Sequence, residues 1–300
     1  MEGSPTNYGN LTSTKKLIII GPGYFLSENN ITQVGTATAE VSYMYLNPGS
    51  QGSEIIGLDF NGITLTISTS DIVVKRNKFS RSNGANPTTL ANLIYQTGTI
   101  NLGSGANNIV ITQNYGVDIS GQNYILSGLL ITNNLISYLG YSGGETTTGT
   151  ILHLHEHTVA LIKNNIFLRG TVNVNRSTLT NNIMVNGFFE MKENMVSNNV
   201  GNGTLFGTAQ GNKSNVDMSA VFVGTGTPDE RFKLKVGSPA IGAGYGSTAA
   251  NPIDAGMFSG TTPYRLSGLP GIPVIYFIDV QAVGSNADPI DVTVKVKSTN

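Results

Sequence analysis

The 300-residue sequence predicts an all-β fold: a parallel β-helix, a solenoid of stacked coils, ending in a short β-ribbon. Three observations predict it. Residues 160–210 read as three lines of seventeen, ALIKNNIFLRGTVNVNR, STLTNNIMVNGFFEMKE and NMVSNNVGNGTLFGTAQ, with Asn164-Asn165, Asn181-Asn182 and Asn198-Asn199 in register. Ile162, Leu179 and Val196 align before those pairs, and Ile166, Ile183 and Val200 after them. Apolar and polar residues alternate on the flanks, which is strand spacing, and no 3.6-residue stripe is sustained. Finally, 37 glycines and only 12% charged residues suit neither helical repeats nor a charge-rich disordered chain. A repeat this short cannot bury an apolar face alone, so each copy must stack on the next.

The elements follow in order. Residues 4–16 are polar and turn-rich. Residues 15–23 (KKLIIIGPG) predict a strand ended by a Gly-Pro-Gly corner. Gly21-x-Gly23 is not followed by G-x-x-x-x-G-K-[ST] or by an opening helix, so it does not predict a phosphate loop. Tyr24, Phe25 and Leu26 are expected to plug the open end of the core, as terminal repeats must. Strands are expected at 39–46, 53–60, 63–67 and 71–79. Residues 80–92 form a loop that leaves the coil, and 100–136 return to coil rhythm. Residues 137–150 form a second outward loop carrying Tyr138, Tyr141 and Glu145. Loops on a rigid scaffold commonly carry function. The regular coils come next, then an irregular stretch at 211–231. Residues 266–273 (LSGLPGIP) read as a linker, and 274–283 and 290–297 as the two strands of the ribbon. Such a ribbon is marginal alone and must pack on the solenoid or on something outside the chain. The expected division is a capped β-helix at 1–265 and a linker with a two-stranded extension at 266–300.

The paired positions recur upstream at 72–77, 109–114 and 129–134. Over six copies the second position is always Asn: Asn77, Asn114, Asn134, Asn165, Asn182 and Asn199. The first is Arg76, Gln113 or Asn. A column that admits Arg is expected to face water. A column restricted to Asn is expected to be constrained. Asn tolerates the left-handed backbone of a tight corner, and its amide can donate to one coil and accept from the next. An internal Asn ladder is therefore the expectation, with plain turn preference as the alternative.

The net charge is −1 and no Lys/Arg run is clustered, which argues against capture of nucleic acid or anionic membrane. There is no Cys, hence no disulfide and no thiolate metal site. The longest apolar run, 17–20, is far too short to span a bilayer, so no membrane insertion is expected. Residues 1–10 (MEGSPTNYGN) lack the regions of a signal peptide. All three histidines lie at His153, His155 and His157. On one strand they would share a face at about 7 Å spacing, with Leu152 and Leu154 turned to the core. With Glu145 near, they could meet zinc or copper, but strand spacing is too wide for one ion without a bulge. An exposed polar face is the expectation, with no metal and no cofactor.

Residues 232–244 (FKLKVGSPAIGAG) and 254–258 (DAGMF) resemble the closing segment of bacterial right-handed β-helix proteins of the pectin-lyase-like superfamily. The resembling elements are F-x-L-x-x-G-S-P-A-I-D-A-G and a later D-I-G-A-F/Y. Gly242 stands where Asp is usual, and Ala255 where Ile is usual. The Asn-bearing coils match the same group, so the resemblance covers about residues 14–260. With the 269–275 linker, the chain is similar to exported proteins of Bacteroidetes-type bacteria. The resemblance implies a single-stranded right-handed helix and a secreted or cell-surface location, with the leader outside this sequence. It implies no single activity, because the group mixes lyases, hydrolases, epimerases and non-catalytic proteins.

Lyases of that group need clustered carboxylates for calcium and an Arg or Lys base, and its hydrolases need carboxylates facing across a cleft. Here Asp59, Asp71, Asp118 and Glu156 share no coil position, and Asp229-Glu230 is the only adjacent acidic pair. The expected function is that of an exported, non-catalytic β-helix that binds glycan or serves as a cell-surface structural module. Tyr138, Tyr141 and the strand face beside them would form the binding surface, with polysaccharide as partner. The alternative is a polysaccharide lyase or glycoside hydrolase with a noncontiguous site drawn from Asp118, Glu145 and Glu156. Convergence of any three of Asp59, Asp71, Asp118, Glu145 and Glu156 within roughly 6–9 Å would distinguish the two. Nothing in the sequence points to an oligomeric state.

Overall fold

The computed structural model describes residues 1–28, 35–81, 96–137, 149–267, 274–281, 284 and 290–297. The chain coils through two sheets, one of eight strands and one of eleven, parallel throughout except where Ser80–Arg81 pairs antiparallel with Gln96–Leu102. The narrower sheet stacks very short strands from Ile18–Ile20 to Met195–Ser197. One apolar position per strand keeps its register from coil to coil: Ile55, Val74, Ile111, Ile131, Ile162, Leu179 and Val196. Its flanking residues point outward, so three-residue strands suffice: each adds one side chain to a shared core.

The wider sheet bends within its own strands. Ile166–Leu168 pair with Leu135–Ser137, whereas Thr171–Asn173 pair with the separate strand Thr150–Leu154. Between the two halves Arg169 and Gly170 have φ of 63° and 86°. Asn186 (53°) makes the same left-handed bend in the neighbouring strand Ile183–Lys192. The sheet thus supplies two walls, and the narrow sheet a third, around one apolar core that includes Ile55, Leu65, Phe79, Ile136, Phe167 and Val172. The result is a parallel β-solenoid. The only helical elements described are 3-10 turns at Met218–Ala220 and Glu230–Phe232, and no described helix is long and apolar enough to cross a membrane.

The paired residues form the corner between the narrow sheet and the next wall. Asn77, Asn114, Asn134, Asn165, Asn182 and Asn199 are wholly buried. Each donates its side-chain Nδ2 to the Oδ1 of the next, at 3.1, 3.0, 3.0, 3.1 and 2.9 Å, and Asn199 donates to Asn212 at 3.1 Å. Each Oδ1 also accepts the preceding rung's backbone N–H, as from Asn165 to Asn182 at 2.9 Å. Asn212 is a seventh rung, thirteen residues after Asn199.

Two expectations about this corner are corrected. The left-handed residue is the first of each pair, with φ of 55–60° at Arg76, Gln113, Asn133, Asn164, Asn181 and Asn198. The first residue takes the bend, and that leaves the second free to aim its amide inward. Nor does the first column face water throughout, since Gln113, Asn133, Asn164 and Asn181 are buried. The chain near its C-terminal end crosses over them. Gln113 Nε2 donates to the Pro263 carbonyl at 2.8 Å, Asn133 Nδ2 to Ser259 at 2.7 Å, and Asn198 Nδ2 to Ala243 at 3.1 Å. The approach is so close that a Cβ at Gly260 would collide with Asn164, and one at Gly256 with Ile183.

That crossing segment makes a second core outside the tube. Leu135, Ile166, Leu168, Ile183 and Val185 turn outward from their wall and pack against Val221, Phe222, Phe232, Ala255 and Met257. Tyr24 joins this outer cluster, with its hydroxyl 2.7 Å from that of Tyr264. It therefore does not plug the inner core as expected, and Phe25 packs beside it against Tyr115. Buried Asp229 holds the junction: its carboxylate accepts from Thr227, from Tyr264 and from the Ser267 backbone N–H. The ribbon is antiparallel, Val274–Val280 with Val292–Lys297. Ile275, Ile278, Val280, Val292, Val294 and Val296 on it stay exposed.

Candidate binding groove on the open wall

One wall has no outer cover among the described residues. Its outward side chains form an unbroken register across eight strands: Thr12, Tyr45, Thr66, Asn101, Ser120, His153, Asn173 and Glu190. Between them the inward residues, such as Ile100, Ile119, Leu152 and Val172, are buried. Alternation of this kind is what a sheet with one wet face needs.

At one end this wall widens into a groove of about 660 Å³ lined by His153, His155, His157, Arg176, Glu190 and Glu193, among others. The histidines do not share a strand face. The strand ends at Leu154, and His155 opens a turn closed by the Thr158 N–H to His155 carbonyl bond at 2.9 Å. The turn brings the His155 and His157 rings to 5.5 Å. His155 Nδ1 accepts the His157 backbone N–H at 3.2 Å, and His157 Nδ1 lies 3.1 Å from Arg176 Nη1. Guanidinium can only donate, so both Nδ1 atoms accept, and a neutral ring carries its hydrogen on Nε2. Among the described residues no group of three or more His, Asp or Glu is placed to hold a metal ion.

The carboxylates in the groove are engaged. Glu190 accepts from Asn173 Nδ2 at 3.1 Å, Glu193 pairs with Arg176 at 2.9 Å, and Glu156 lies 3.6 Å from His157 Nε2. Asp118 belongs to the same wall but is buried and stands two positions before Ser120 in its strand. Burial pushes its carboxyl up to about 7, against hydrogen bonds from Thr99 and Thr97 that lower it. From the strand register it lies three strands and two residues from Glu190, about 16 Å between Cα atoms. Asp59 is on another wall, in a buried ion pair with Lys78 at 2.5 Å. Asp71 is at an exposed corner, where hydrogen bonds from Ser70 and Asn108 hold its carboxyl below the usual range. Of the acids considered from sequence, Asp59 and Asp71 thus lie away from the wall that carries Asp118 and Glu156. Tyr138, Tyr141 and Glu145 lie outside the described residues.

Asn173, Asn175, Arg176, Glu190 and Glu193 were not singled out by sequence reasoning, and Lys192 reads from sequence only as a solvated outward residue recurring with Lys75 and Lys163. A signal existed, because Asn173–Glu190, Asn175–Lys192 and Arg176–Glu193 are each seventeen apart and stack in the structure. Comparison with known proteins gives no match: no family model, no curated protein and no solved structure aligns with this chain.

Proposed function

We propose that this chain is an exported, non-catalytic module, a right-handed parallel β-helix of the pectin-lyase-like kind, that holds polysaccharide along its open wall at the cell surface. The observation that carries the reading is the groove itself. It is a long polar trough on a rigid sheet, rich in planar amides, imidazoles and a guanidinium that can hydrogen-bond to sugar hydroxyls. Its carboxylates are already paired with neighbours on the same side. Glycoside cleavage needs an acid and a base or nucleophile about 5–9.5 Å apart on opposite sides of the bond, and β-elimination needs a carboxylate cluster for calcium. The test is a binding screen against β-glucan, mannan and pectic polysaccharides, with and without calcium. Retention without product release, weakened by Asn173→Ala with Arg176→Ala, is the expected result. No retention of any of them would sink the reading.

A second reading, a polysaccharide-cleaving enzyme, is favoured by one observation. Asp118 holds its proton up to about pH 7, as a general acid must. Release of reducing ends or unsaturated products above a heat-killed control, abolished by Asp118→Asn, would establish it in place of the first.

A further inference from the structure

Tyr43 and Tyr45 place two aromatic rings on the outward face of the open wall, several strands away from the groove. Both are in solvent, 46% and 39% exposed, while Met44 and Leu46 are buried in the core. Their ring centroids are 6.5 Å apart and their planes within 19° of parallel. Neither hydroxyl has a hydrogen-bond partner among the described residues. The fold does not require the rings. In the next coil Thr66 pairs with Tyr45, and the same strand register sets Thr64 beside Tyr43.

The register ties this pair to the groove. From Tyr45 the outward column runs through Thr66, Asn101 and Ser120 to His153, Asn173 and Glu190. Six strand-to-strand steps cover about 29 Å. Between the tyrosines and the groove the Tyr45 column carries hydroxyls and an amide but no charge, while the parallel Tyr43 column runs through Thr64 and Thr99 to Asp118, whose carboxyl is buried. Aromatic rings offer apolar surface to the C–H faces of pyranose rings, and their hydroxyls keep a polar edge.

We propose that Tyr43 and Tyr45 form a second carbohydrate subsite, so that one extended, neutral polysaccharide chain lies along the solenoid axis from the tyrosines to the His153 groove. This rests on the polysaccharide reading above. The uncharged column selects a neutral chain. The distance selects a long one, because a short oligosaccharide can occupy the groove or the tyrosines but not both.

The test is calorimetric titration with β-1,4-linked gluco- and manno-oligosaccharides, from trisaccharide to octasaccharide. Tyr43→Thr with Tyr45→Thr installs the residues of the next coil, and an unchanged thermal melt verifies folding. The double variant should bind the octasaccharide about tenfold more weakly, the scale of one or two ring-stacking contacts. Trisaccharide binding at the groove should be unchanged, and Tyr43→Phe with Tyr45→Phe should retain most octasaccharide affinity. An octasaccharide affinity that Arg176→Ala lowers but the Thr double variant leaves intact overturns the subsite alone. Failure of the unaltered chain to bind any oligosaccharide or polysaccharide overturns both the subsite and the function on which it rests.

Discussion

The strand Ile166–Asn175 belongs to two walls with opposite fates. In its first half Ile166, Phe167 and Leu168 are all buried, Phe167 in the inner core and its two neighbours in the outer one. In its second half Val172 and Val174 are buried, while Thr171, Asn173 and Asn175 reach the surface. The backbone is one continuous strand in register with Ile183–Lys192 throughout. What differs is the outside: residues 211–267 cover one half and leave the other bare. A consecutive apolar run marks a wall covered on both faces, and an alternating one a wall with a wet face. The covered wall contributes to stability, while among the described residues the other wall stays open to solvent.

The largest expected effect tests the covered side. Phe232→Ala empties a fully buried site in the outer core and should cost about 3–5 kcal/mol. Phe188→Ala, half exposed near the bare wall, should cost within about 0.5 kcal/mol. Urea melts of both variants measure the contrast, and equal losses would break it.

The ladder lies at the corner and should come next. Asn182→Leu leaves the Asn165 backbone N–H without its side-chain acceptor and the Ile162 carbonyl without the Asn182 Nδ2 donor, which should cost about 1–3 kcal/mol. Asn181 cannot serve as a surface control, because its side chain accepts the Tyr245 N–H and its carbonyl the Gly256 N–H. Thr178→Ser, half-buried on the narrow sheet, can. Equal melting temperatures for Asn182→Leu and Thr178→Ser would remove the ladder's contribution.

Another effect on the bare wall depends on pH, and it is small at any one step of pH. Burial raises the Asp118 carboxyl from 3.8 to about 7, so between those values the folded chain holds the proton more tightly than the unfolded one. Its contribution is therefore most favourable below about pH 4 and is lost as pH rises towards 7, by at most about 1.4 kcal/mol per unit. Asp118→Asn should remove that part of the slope. Asp229, raised by the same cause, tilts both proteins alike and cancels in the difference. Stability measured from pH 4 to 8 with identical slopes in the two proteins would contradict the burial of Asp118.

The smallest effect is expected at the histidines. His153→Gln, His155→Gln and His157→Gln together should shift stability by no more than about 0.5 kcal/mol. Sub-micromolar zinc binding at one ion per chain would show instead that the turn closes on a metal.

Much of the architecture was legible because stacking imposes a period. A column that is Asn in six coils declares a constrained position, and Ile162, Leu179 and Val196 declare the inward face. Which member of each pair bends was not legible, since Asn serves both as a left-handed corner and as an amide rung. The groove was legible only where the coils repeat at seventeen, as for Asn173 above Glu190. It was hidden where spacing is irregular: Ser120 and His153 are neighbours across thirty-three residues.

By itself, then, the sequence determined the parallel coil, the inward residues and the Asn column, because each is enforced between adjacent turns and recurs along the chain. Only the tertiary structure decided which wall is covered. Gln113 meets Thr262 across 149 residues, and Phe222, Phe232 and Met257 cover the outward leucines and isoleucines of a wall far upstream. Contacts of that range occur once and have no period, so no local pattern announces them. The bare wall and its groove exist as the remainder of that choice.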